Sequence, residues 1–71
     1  MKEYLVVYEK AGKNYSAFAP DLPGCVAAGD TLRETERLMK KAISLYIETL
    51  KESGQPVPEP TTRAKPLAVP A

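Results

Sequence analysis

The sequence predicts a small α+β domain, in which three antiparallel strands are followed by one long helix and a short edge strand, a β-β-β-α-β order. Three observations predict it. Two β-rich runs, residues 4–8 (YLVVY) and 15–19 (YSAFA), flank the turn-forming stretch AGKN, the pattern of a hairpin. Thr31 followed by Glu34 is a helix start signal, and apolar residues recur at helical spacing from Leu32 to Leu50. Gly54 and Pro56 then end the helix, and a proline-rich segment follows.

The first strand is expected at residues 4–8, where β-branched and aromatic side chains cluster. Gly12 and Asn14 tolerate positive φ and suit the turn. In residues 15–19, Tyr15, Ala17 and Ala19 share one face, and Ser16 and Phe18 the other. Pro20 and Pro23 cannot donate to a ladder, so the second strand stops there. Residues 25–28 (CVAA), closed by Gly29, suit a third strand. On the helix, the apolar arc covers roughly 200°, wider than packing on one sheet face needs. Leu38, Leu45 and Ile47 are candidates to meet another chain. Residues 67–69 are placed as the edge strand, between Pro66 and Pro70. Residues 1–62 are taken as the domain and 63–71 as a short C-terminal segment, with no separate DNA-binding domain.

At 71 residues, with one Phe, four Tyr and no Trp, the core has few large side chains. Domains this small usually gain stability from a disulfide, a metal or a partner. Cys25 is the only cysteine and the chain has no His, so neither an internal disulfide nor a zinc site can form. Self-association into a homo-oligomer, or docking onto another protein, is therefore expected. The net charge of +1 lacks the basic excess of a dedicated nucleic-acid binder. The N-terminal apolar run is too short for a signal peptide or a membrane span, which points to the cytoplasm.

The residues that carry chemistry are sparse. Without His the commonest general base is missing, and Cys25 has no such partner to activate it. In a short apolar strand Cys25 reads as a small buried side chain. Asp21, Asp30, Glu34 and Glu36 could bind Mg²⁺ in principle, and a residual nuclease would need Asp21, Asp30 or Glu34 to converge. Each also has a structural reading: Asp30 and Glu34 suit a helix start, and Asp21 a turn. Arg33, Arg37, Lys40 and Lys41 line the polar side of the helix, a hint of an RNA or acidic partner, with Glu36 and Lys40 spaced to pair. No cofactor-binding or phosphate-binding glycine motif is present.

The order of features resembles the HicB-like antitoxin family. The residues that carry the likeness are Tyr15, Ala17, Pro20 to Cys25 (PDLPGC), Gly29 to Thr31 (GDT), Gly54, Pro56 and Pro58 to Pro60, spread over roughly residues 3–62. The resemblance implies a partly degraded RNase H-like fold whose last strand lies parallel to the first. It also implies a non-catalytic protein that binds and neutralises a small HicA-like mRNA interferase as the antitoxin of a type II pair. Family members usually carry a second, DNA-binding domain. The few residues after the proline-rich segment leave no room for one here, so DNA binding is not expected. The exposed tip formed by Asp21, Leu22, Pro23 and Gly24 is the expected contact surface.

Overall fold

The computed structural model describes residues 1–71. Its elements are β1 (Val7–Ala11), β2 (Asn14–Phe18), β3 (Val26–Gly29) and α1 (Leu32–Glu52). The strands form one antiparallel sheet in the order β1-β2-β3, and α1 packs across β2 and β3.

The hairpin sets the register. Gly12 takes φ of 63°, and no non-glycine residue has positive φ, so Gly12-Lys13 is the first-glycine type II′ turn favoured between twisted strands. It pairs Ala11 with Asn14, and the ladder then runs to Val7 opposite Phe18. The strand therefore lies three residues later than the expected 4–8. Continuing the register would set Val6 opposite Ala19 and Leu5 opposite Pro20. Ala19 still bonds toward β3, its amide donating to the Cys25 carbonyl, and the next residue that would bond β1, Pro20, has no amide to offer. Residues 4–6 are thus apolar but outside the ladder, while Lys10, Ala11 and Asn14 are drawn into it by the turn.

The helix begins and ends where its signals stand. The Thr31 hydroxyl accepts the Glu34 amide at 3.0 Å. At the other end the Gln55 amide bonds the Leu50 carbonyl and the Gly54 amide bonds that of Lys51, the paired bonds of a Schellman motif. Met39 and Thr35 are the buried residues of the helix. Met39 meets Ala17 from β2, Ala19 just after it, and the loop residues Leu22 and Cys25, while Thr35 lies against Gly29.

The expected fourth strand does not form. Leu67 and Val69 are 82% and 72% exposed, and no residue after Glu52 joins the sheet. Pro66 and Pro70 each remove a ladder donor, and the hydrogen bonds that tie the C-terminal segment to the domain end at Thr62. Residues 63–71 leave the body as an exposed arm.

Candidate functional site

The stretch from Ala19 to Thr31 holds the expected tip and the PDLPGC and GDT motifs, and the structure divides their residues into frame and surface. Leu22 is completely buried and forms the centre of the core with Met39. Its amide bonds the Ala19 carbonyl and its carbonyl accepts the Cys25 amide, so the PDLPGC turn folds back to plug the sheet end. Leu22 is therefore not available as a contact residue, contrary to its place in the expected tip. A leucine flanked by prolines gives no periodicity from which burial could be read.

Asp21 is likewise engaged. Its carboxylate accepts four bonds from the C-terminal segment: the Thr61 and Thr62 amides at 3.1 and 3.0 Å, and their hydroxyls at 3.2 and 2.6 Å. The Tyr4 hydroxyl donates to the Pro58 carbonyl at 2.6 Å, and Lys2 pairs with Glu59 at 2.8 Å. Together these contacts strap residues 58–62 to the start of the chain and to the loop after β2. Sequence reasoning missed the strap, because its partners lie 40 or more residues apart.

The Thr62 hydroxyl, followed by the Thr62 amide and the two Thr61 donors, holds the Asp21 carboxyl below the ordinary aspartate range. A carboxyl lowered in the folded state stabilises it above the unfolded pKa, and the contribution is lost as pH falls through the folded value. The strap should hold at neutral pH and release only in acid, below about pH 4. Hydrogen exchange at the Thr61 and Thr62 amides checks this. Protection is expected at pH 6 and lost in Asp21→Asn, and equal exchange in both proteins would rule it out.

Pro23 and Gly24 are exposed, and Gly24 borders an apolar groove of about 460 Å³ with Cys25, Val26, Leu45, Tyr46 and Leu50. Val26 and Leu45 are 63% and 65% exposed, so the groove rim is open hydrophobic surface. Of the three helix residues expected to reach another chain, Leu45 is exposed, while Leu38 and Ile47 are half-buried. On the uncovered sheet face, Val7, Phe18 and Val26 stand in one cross-strand row, and Phe18 is 38% exposed.

The chemistry-bearing residues do not assemble. No three of the Asp, Glu and Cys side chains lie close enough to hold a metal ion. Asp21 is bound by the threonines, and Glu34 sits in the first turn of the helix. Burial pushes the Cys25 thiol up, the opposite of an activated nucleophile. Arg33, Arg37, Lys40 and Lys41 are exposed on the helix, and none makes a salt bridge. The Glu36–Lys40 pair that their spacing predicts is absent.

The close packing between β3 and the helix start explains GDT. A Cβ at Gly29 would sit 2.8 Å from the Thr35 hydroxyl and 3.1 Å from its amide nitrogen. Thr31 caps the helix and its carbonyl accepts the Thr35 hydroxyl at 2.8 Å. The motif is therefore a packing device.

Residues 4–70 match the family described as HicB-like antitoxin of bacterial toxin-antitoxin system. The chain belongs to the HicB-like antitoxin family. A UPF0150 protein of Synechocystis sp. is 43% identical over 67 residues, covering 93% of this chain and 85% of that protein. A UPF0150 protein of Thermoplasma acidophilum is 34% identical over 58 residues, covering 82% of this chain and 84% of the relative. An uncharacterized 14.9 kDa protein of Haemophilus phage HP1 is 41% identical over 56 residues, of which this HicB-like chain spans only 42%. No solved structure matches the chain significantly. No helix of this family member is long and apolar enough to cross a membrane.

Proposed function

We propose that this HicB-like chain is the antitoxin of a toxin-antitoxin pair and acts by binding, without catalysis of its own. Its partner is a small HicA-like mRNA interferase, whose RNA-facing surface it covers. The observation that supports this reading is the open apolar groove beside the Pro23-Gly24 tip, with Val26 and Leu45 on its rim. Exposed apolar side chains around a groove are the usual centre of a protein–protein contact. In this reading Asp21 and Leu22 hold the tip in shape, and Pro23, Gly24, Val26 and Leu45 touch the toxin. A toxin that binds RNA carries a cationic surface of its own. Arg33, Arg37, Lys40 and Lys41 are therefore left facing solvent in the complex.

Co-expression with a HicA-like toxin tests it. The wild-type chain is expected to restore growth and to co-purify with the toxin. Leu45→Glu and Val26→Asp should weaken binding by about tenfold or more while the circular dichroism spectrum is unchanged, since a charge forced into an apolar contact stays unpaired. A chain that binds no such toxin, or two variants that bind as the wild type does, would sink the proposal.

A further inference from the structure

A second groove, of about 730 Å³, runs between the free side of the β1 segment and α1. Tyr4, Val6 and Tyr8 line one wall, and Met39 and Ile43 the other. This is the edge at which a fourth strand is missing. Because Ala11 and Asn14 close a two-residue turn, the odd-numbered residues Val7, Glu9 and Ala11 bond β2. The backbone groups of Tyr8 and Lys10 therefore point to the open edge, and the side chains of Tyr8, and of Tyr4 and Val6 ahead of the strand, line the groove.

The C-terminal arm has the matching pattern. Every proline after Gly54 is even-numbered: Pro56, Pro58, Pro60, Pro66 and Pro70. In an extended chain alternate residues present N–H and C=O to opposite edges, so all the missing donors fall on one edge. Lys65, Leu67 and Val69 keep their amides on the other. In antiparallel pairing, residues that exchange bonds lie directly opposite and share a face. Leu67 and Val69, bonded to β1 in that way, would point into the groove. Arg63 and Lys65 lie on the same face, and the groove lining is mixed in charge, with Glu3 and Glu36 beside Lys2 and Lys40.

The arm of a chain does not serve its own edge. The strap carries it to Asp21, which does not line the groove, and it continues outward with Leu67 and Val69 bare. The chain as a whole is correspondingly open. Its radius of gyration is 13.9 Å, against about 11 Å for a compact domain of this length. It exposes 5777 Å², against about 4400 Å² for a compact protein of this mass. The excess, about 1400 Å², exceeds the roughly 800 Å² that each partner buries in a standard interface.

We propose that two copies exchange arms: residues 63–71 of each add as an antiparallel strand to the β1 edge of the other, with Leu67 and Val69 in its groove. The arrangement is two-fold symmetric and closed. The proline-bearing edge is left outermost, where it blocks further strand addition.

The mass in solution and the parity of introduced prolines test this together on the full chain without any toxin. Light scattering is expected to give twice the 7.8 kDa of one chain. Ala68→Pro, on the edge already without donors, should leave the dimer intact. Lys65→Pro and Val69→Pro remove an amide from the bonding edge and should raise the dimer dissociation constant about tenfold or more. Leu67 and Val69 amides should exchange slowly in the dimer. A monomeric wild type overturns the proposal, whether its arm amides are protected by closure onto its own sheet or fully exposed. So does a dimer that tolerates all three prolines equally.

Discussion

Leu22→Ala is expected to cost about 2–5 kcal/mol, the range for emptying a fully buried leucine site. Leu22 has no exposed surface and stands at the centre of a core of only five buried apolar residues, three of which are Ala or Cys. Neighbours that small cannot swing in to fill the cavity, so the value should lie toward the upper end. A domain of 71 residues has about 4–10 kcal/mol of stability in total. The variant should therefore melt at least about 10 °C lower, or be partly unfolded at 25 °C. Chemical unfolding followed by circular dichroism measures it, with Pro23→Ala in the same loop as the exposed control. A loss under about 1 kcal/mol would show that the PDLPGC turn does not anchor the core.

Gly29→Ala is expected to cost about 1–3 kcal/mol, as overpacking does where neighbours cannot yield. The added methyl meets the Thr35 hydroxyl at 2.8 Å, and that hydroxyl is held by its bond to the Thr31 carbonyl. It also meets the Thr35 amide nitrogen at 3.1 Å, which cannot retreat without lifting the helix start from β3. Removing the hydroxyl should relieve part of the clash. In a double-mutant cycle, Gly29→Ala with Thr35→Ala is thus expected to cost less than the two single changes combined. Full additivity, or a neutral Gly29→Ala, would contradict the close-approach account of the GDT motif.

Local features of the chain were legible where the cause is local. The Thr31 cap, the Gly54 end and the Gly12 turn are each determined by residues within four positions, and all three appear where their signals stand. The β1 boundary was not legible, because hydrophobicity favours residues 4–8 while the turn imposes its own pairing on Lys10 and Ala11. The exposure of the loop from Asp21 to Gly24 was half legible. Its exposed residues, Pro23 and Gly24, look no different in sequence from Leu22, which the fold buries.

By itself the sequence determined the α+β class, the hairpin, the helix and the family, since the signature residues double as turn, cap and close-packing positions. It also determined that neither a histidine base nor an internal disulfide is available, in a chain with no His and one cysteine. Only the tertiary structure decided that Asp21 straps the C-terminal segment, that Leu22 is core, and that the β1 edge and the arm are each left without a partner. The strap depends on contacts between residues 40 or more positions apart, and the burial of Leu22 on its packing against Met39 of the helix. The open edge and the bare arm reflect contacts that are not made. No local pattern encodes any of these.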